Sequence, residues 1–467
     1  MPSLSINFDY FIQLGNMSFP MMLVRLFLDG GWIIVLFVLL QGFWLLWVQS
    51  RQEKYGASLD FTVLAVDIPR NNEQTPKAAE QLFTHMSGAH SGTDNIEKYW
   101  HGKFTPSFSF EIISIDGYVQ YLIHTPKKFR DLVESSIYSQ YPEAEIAEVQ
   151  DYADKVPKQY PDAEWDCFGT EFVLKKNEAY PIRTFTDFED KAAEEMTFKD
   201  PMSAILEVMG SLKFGEQLWF QIRVTPTDDS WQKKGQDVVD KILGKKKIVH
   251  KSAVDHALEV PLHLLGEIKN QVMGGEHADA KKSDKAETPK MTQLSPGERK
   301  VLEKIEEKLA KIGFMCKLRL VYVGKRNVFN KGRISQFKGA LSQFTSINMN
   351  SFKGYGPVTP KGDYPWQRLS ENALKTAILR NYRNRSSKGA SSFALNIEEL
   401  ATLYHFPMLT VKAPLVKKTE AKRAEPPSAL PTEGRFSSVE IKAPPKHEKK
   451  SRGDEDGDGL PDNLPFG

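Results

Sequence analysis

FTVLAVDI, residues 61–68, is almost continuously apolar, as expected of a central strand buried on both faces. The residues after it set the fold. Thr75-Pro76 opens a helix with proline at its first position, and Ala78, Ala79, Leu82, Phe83 and Met86 share one face of it. Phe108, Phe110 and Ile112 alternate along a second strand, and Asp116-Gly117 is a strong two-residue hairpin signal. Tyr118 to His124 then runs back. A second helix carries Phe129, Leu132, Val133, Ile137 and Tyr141 on one stripe and ends at Pro142. The short segment from Ala144 to Val149 supplies a final strand. This βαββαβ order is that of a ferredoxin-like sandwich, an α+β fold that hosts many functions and specifies none.

A second, larger α+β unit is expected from residues 165 to 415. Gly169 to Leu174 reads as a strand, Asp200-Pro201 starts a helix through Ile205, Leu206 and Met209, and Leu218, Phe220, Ile222 and Val224 line another strand. A polar insert without apolar periodicity occupies 274–292. Beyond it, Ser295-Pro296-Gly297-Glu298 is a capping box with proline at the first helical position. Cys316, Leu318, Leu320 and Tyr322 then alternate with Lys317 and Arg319 along a strand expected to return to the same sheet. The first unit spans 58–150, and 416–467 is a Pro-, Lys- and Glu-rich tail expected to be disordered.

Residues 1–50 read as a membrane anchor. Trp32 to Val48 (WIIVLFVLLQGFWLLWV) carries no charge, and about 17 residues at ~1.5 Å each just span a bilayer core. A basic n-region and a small-residue cleavage site are both missing, so a transmembrane helix is favoured over a signal peptide. Trp32, Trp44 and Trp47 sit where amphipathic rings prefer the two interfaces. Tyr10 to Leu28 is apolar but interrupted by Asn16, Pro20 and Arg25, which favours an interfacial helix. Arg51 and Lys54 outweigh Arg25, so a single-pass protein with its bulk in the cytoplasm is expected.

The 467 residues carry a formal net charge of only +2, which excludes a uniformly basic, histone-like protein. The distribution is more informative. Residues 315–390 hold 15 Lys or Arg against Asp363 and Glu371, whereas residues 59–165 hold 17 acidic residues against nine basic ones. Lys325, Arg326, Lys331, Arg333 and Lys338 interleave with Phe329 and Phe337, and Lys375, Arg380, Arg383, Arg385 and Lys388 surround Tyr382. Such mixtures suit phosphate contacts with base stacking, hence DNA. They equally suit anionic lipid, docking onto an acidic partner, or a solvated face.

Two cysteines, Cys167 and Cys316, cannot form a disulfide scaffold or a structural zinc site and read as buried, reduced thiols. At the C-terminal end, Asp454, Asp456, Asp458 and Asp462, with Gly459 in the sixth position, match the first part of a calcium loop and resemble the repeat of thrombospondin type 3 modules. The match is single and lacks both flanking helices and a bidentate glutamate, so weak Ca2+ binding and a solvated acidic tail both remain open. No other cofactor is suggested. No phosphate-binding G-x-x-x-x-G-K-[ST] loop, HExxH or GxSxG occurs, and a non-enzymatic role is expected.

Three stretches carry a family resemblance: Phe108 to Gly117 (FSFEIISIDG), Thr125 to Ile146 (TPKKFRDLVESSIYSQYPEAEI), and Asn396 to Pro407 (NIEELATLYHFP) followed by Val411 to Pro414 (VKAP). Together they resemble the membrane-anchored N-terminal region of HerA-like and type IV secretion (conjugation) ATPases of small-genome bacteria, over about Trp32 to Pro431. In that family a RecA-like motor with its P-loop normally follows; here the chain passes into the Pro-rich tail. The resemblance implies a detached N-terminal module that scaffolds or regulates a P-loop ATPase supplied by another chain. The expected partners are therefore membrane lipid and other secretion subunits, with a membrane-tethered nucleic-acid-binding module as the alternative.

Overall fold

The computed structural model describes residues 17–69, 72–90, 92, 94–190, 197–198, 200–244, 294–362 and 364–408. The insert at 274–292, the tail from 416 and the four calcium-loop aspartates Asp454, Asp456, Asp458 and Asp462 lie outside the described residues.

A long helix, α1 (Phe19–Ala57), comes first, and it is long and apolar enough to cross a membrane. None of its apolar window is buried against the rest of the chain. The expected break between interfacial and spanning helices is replaced by a five-residue π-helical stretch, Phe27–Gly31, with Gly30 at φ 122°. The two pieces thus join in one kinked rod. Arg25 is neutralised locally by Asp29, 3.0 Å away.

The first half then follows the order read from the sequence: β1 (Phe61–Asp67), α2 (Pro76–Met86), the short α3 (Asn95–Tyr99), β2 (Phe108–Ile115), β3 (Tyr118–Pro126), α4 (Arg130–Gln140) and β4 (Glu145–Val149). Its strands pair antiparallel in the order β4-β1-β3-β2, the ferredoxin-like arrangement. Asp116 and Gly117, both with positive φ (56° and 87°), make the β2–β3 turn, as a tight hairpin requires.

The second half repeats that order. β5 (Trp165–Leu174) is followed by a two-stranded ribbon, β6 (Glu189–Asp190) and β7 (Thr197–Phe198), and then by α5 (Met202–Gly210) and β8 (Glu216–Pro226). Two helices packed on each other, α6 (Ser230–Ile242) and α7 (Pro296–Leu309), precede β9 (Gly313–Lys325), α8 (Gly332–Leu341) and β10 (Phe352–Gly354). The Ser295 capping box is formed as the sequence predicts. The strand order β10-β5-β9-β8 is again that of a ferredoxin-like unit, with residues 227–312 standing where the first half has a two-residue turn.

The halves are not separate sandwiches. β2 and β8 pair antiparallel from Phe108↔Val224 to Ile115↔Gln217, so the two edge strands fuse the halves into one sheet. β11 (Phe393–Asn396) pairs with the N-terminal end of β9, from Gly313 to Cys316. Helices α2, α4, α5 and α8 lie on one face, over residues such as Phe83 on Phe110 and Phe337 on Phe220. The last helix, α10 (Ile397–Leu403), joins α2 on that face.

The opposite face is covered by the segment at 152–160 and by α9 (Pro365–Arg383). Ile378, Leu379 and Tyr382 pack there on Cys167, Trp219, Val321 and Val323. Gly169 admits α9 because a Cβ at that position would stand 2.8 Å from Ile378.

Candidate functional site

On the α9 face the fused sheet carries charged side chains where a core would ordinarily be apolar. Glu111 of β2 is fully buried and receives Arg385 in a two-pronged pair, Nε to Oε1 and Nη2 to Oε2, both 3.0 Å. Ser109, Gln221 and the Tyr152 hydroxyl also donate to this carboxylate, at 2.7, 2.9 and 2.9 Å. Arg385 in turn reaches Asp151. Burial alone would raise the Glu111 carboxyl. The Arg385 charge and hydrogen bonds overcome it, with His124 and Ser109 helping, and hold the group down at about 2. His124 lies beside this pair, where burial first and the Arg385 charge second push it down to about 4.

A second pair lies deeper in the other half. Arg319 donates from Nε to Glu171 Oε1 at 2.8 Å, with neither side chain exposed. Its remaining donors hold the chain at 381–388 through the carbonyls of Asn381, Ser386 and Lys388. Lys317 grips the same loop through the carbonyls of Ser387 and Lys388 at 2.6 and 3.0 Å. Burial pushes the Lys317 ammonium down to about 8, against the pull of Glu171. The loop closes at Gly389 (φ 108°), where a Cβ would come within 2.4 Å of Glu171.

These positions correct the reading of the basic region as one exposed surface. Tyr382 has no exposure, and its hydroxyl lies 2.7 Å from that of Tyr152, so it cannot stack a base. Arg385 is buried on Glu111 and Asp151, Arg383 pairs with Asp154, and Lys375 pairs with Asp166 and Glu371 at 2.8 and 3.1 Å. Arg333 pairs with Glu216 at 3.3 Å and Lys338 is half-buried. The physical reason is that acidic residues of one segment and basic residues of another meet inside the fold. Arg326, Lys331, Arg380 and Lys388 stay exposed, and Lys325 is half-buried.

Lys325 and Arg326 sit at the end of the sheet formed by Asp67, Tyr118 and Glu216, opposite to where α1 leads into β1. There the Lys325 ammonium lies 5.7 Å from the exposed Phe214 ring and 6.0 Å from Trp165. Such cation–aromatic contacts are favourable. Phe214 was not among the sequence candidates; its signal is an isolated aromatic between Lys213 and Gly215 in a polar turn.

The HFP stretch has an internal role. His405 places Nδ1 2.7 Å from the Ala401 carbonyl and Nε2 3.0 Å from the buried Asp200. Burial would raise the Asp200 carboxyl, but His405 and backbone donors keep it below its usual value. Tyr404 and Phe406 complete an aromatic cluster with Phe110, Tyr121 and Tyr141. A buried Lys308–Glu399 pair at 2.9 Å fixes the start of α10. Both cysteines are free and buried, and burial pushes both thiols up. Among the described residues no group of His, Cys, Asp and Glu is arranged to hold a metal ion.

A family model described as a domain of unknown function (DUF8128) matches residues 57–419, which takes in both halves of the sheet and the closing α10 segment. No curated protein matches the chain.

Proposed function

The chain belongs to the DUF8128 family, and on that premise we propose that it is a non-catalytic, membrane-anchored subunit of a conjugation or type IV secretion-like machine. In this reading it is a single-pass protein whose bulk is cytoplasmic, and it docks a partner P-loop ATPase at the membrane. The observation that carries it is the direct link between α1 and the sheet. Residues 58–60 alone separate Ala57 from the first strand, so the helix and the fused sheet are closely coupled. That leaves the far end of the sheet, with Phe214, Tyr118, Lys325 and Arg326, as a surface for another protein. The resemblance of FSFEIISIDG and NIEELATLYHFP to the N-terminal regions of membrane-bound motors supplies the class of partner.

The test is cross-linking in intact cells, detergent solubilisation of the full chain and mass spectrometry of what co-purifies. A P-loop ATPase or other secretion subunits, lost with the combined change Phe214→Ser and Lys325→Glu, is the expected result. Recovery of neither wild-type partner would overturn the reading.

The alternative, a membrane-tethered nucleic-acid-binding module, draws on the exposed Arg326, Lys331, Arg380 and Lys388. It requires DNA binding that weakens steeply with salt and is lost on charge reversal of these four.

A further inference from the structure

Beside the C-terminal part of the apolar stretch of α1 lies a small structure that neither half of the sheet needs. The α3 segment and Trp100 fold back against the helix, with Tyr99 on Trp44 (ring centroids 5.7 Å apart) and Trp100 on Trp47 (5.9 Å). The Arg51 guanidinium lies 4.4 Å from the Trp47 ring and 5.7 Å from that of Trp100. One turn further along, Tyr55 meets Phe104 edge to face at 5.3 Å.

The segment is built to sit there. Gly102 has φ 67°, and a Cβ on it would stand 2.3 Å from the Arg51 backbone, so only glycine lets the chain approach so closely. Glu97 and Lys103 pair across the turn.

What the segment presents outward is apolar. Ile96 is 70% and Trp100 61% exposed, next to the exposed Phe43 and Trp44. Between them runs an open groove of about 430 Å³. Ile96, Tyr99 and Trp100 stand at i, i+3 and i+4, which gathers them on one side of the turn, while Asp94, Glu97 and Lys98 supply charge beside them. An apolar, aromatic side with charged neighbours is the pattern of a segment lying in a membrane interface. Trp44 and Trp47 end the 17-residue apolar stretch, the level at which indole rings prefer the headgroup boundary.

We propose that α3 and Trp100 form an interfacial shelf that enters the same leaflet as the C-terminal end of the α1 span. The groove takes a phospholipid, with its acyl chain along Ile96, Trp44 and Phe43 and its phosphate near Arg51. This rests on the reading of α1 as membrane-spanning. Continuity with that helix makes lipid the occupant, because a surface attached to the spanning segment at the interface faces lipid before any other partner. The shelf gives the soluble region a second hold on the bilayer and fixes its tilt.

The test uses the full chain in phosphatidylcholine–phosphatidylglycerol vesicles with an environment-sensitive fluorophore on Ile96→Cys. Cys167 and Cys316 are buried and do not compete for the label. Leu39→Cys, in mid-span, and Ile347→Cys, exposed on the soluble region, are the references. The expected result is blue-shifted emission at 96, quenched several-fold more than at 347 by lipids brominated high in the acyl chain. The added change Gly102→Ala should bring that quenching down towards the level at 347. Should 96 behave like 347 while 39 is quenched, the shelf is overturned and the anchor stands. Should 39 escape quenching by lipids brominated deep in the acyl chain, the spanning reading fails and the shelf with it.

Discussion

The two ferredoxin-like halves share a strand order but differ in how their α9-facing side is filled. In the first half Val63, Ala65, Ile113 and Leu122 line that side, and its polar members Ser109, Glu111 and His124 are gathered in one cluster. In the second, Cys167, Trp219, Val321 and Val323 are apolar, but beside them Glu171, Gln221, Lys317 and Arg319 line the same side and are buried. The first half also closes its central hairpin in two residues, whereas the second inserts 227–312. An apolar face can be covered by any apolar segment, but a charged one demands specific partners in fixed places. That requirement accounts for the loop at 383–390, whose carbonyls and Arg385 satisfy both halves at once. Its charges act as a clasp across the seam where β2 meets β8.

The strongest way to break this comparison is to remove one side of the clasp. Arg385→Met leaves Glu111 buried beside donors but without its cation and should cost about 3–5 kcal/mol, read from the denaturant midpoint of the detergent-solubilised chain. Adding Glu111→Gln should restore a substantial part, and a failure to do so would show that the two charges are not coupled.

Acid should expose the same asymmetry. His124 is held below its unfolded value, so its contribution is complete above about pH 6.5 and is lost as pH falls towards 4. Glu111, also held low, keeps its contribution above about pH 4.5 and loses it only as pH approaches 2. Stability measured across this range should therefore begin to fall below pH 6.5, by on the order of 1–3 kcal/mol. His124→Gln should flatten that first phase and leave the second.

Gly389→Ala sharpens the comparison from the loop side. The added methyl meets the Glu171 carboxylate at a left-handed backbone position, for an expected loss of about 1–3 kcal/mol. A neutral outcome would mean that the loop and the Glu171 carboxylate shift enough to admit the methyl. The smallest effect belongs to the solvent-facing cations. Lys331→Gln with Arg380→Gln should change stability by no more than about 0.5 kcal/mol, and a larger loss would mean that these exposed side chains too are internal partners.

Much of the first half was legible because its signals are local. Period-two alternation in Phe108–Ile112, the Asp116-Gly117 turn and the Pro76 helix start each depend on neighbours a few residues away. The Ser295 capping box was readable for the same reason. The candidate site was legible only in composition. The sequence shows that one stretch is basic and another acidic, but Glu111 and Arg385 lie 274 residues apart, and no local pattern joins them. The HFP stretch stood out by resemblance, yet its His405–Asp200 contact spans 205 residues.

The amino-acid sequence by itself determined the apolar helix, the α+β class and the two strand–helix successions, since hydrophobic period and turn chemistry act over a few residues of chain. Only the tertiary structure decided that the halves share one sheet and that Tyr382, Lys375, Arg383 and Arg385 face inward. A side chain's charge is written in the sequence, but whether water or a carboxylate neutralises it depends on which distant segment folds to within hydrogen-bonding reach.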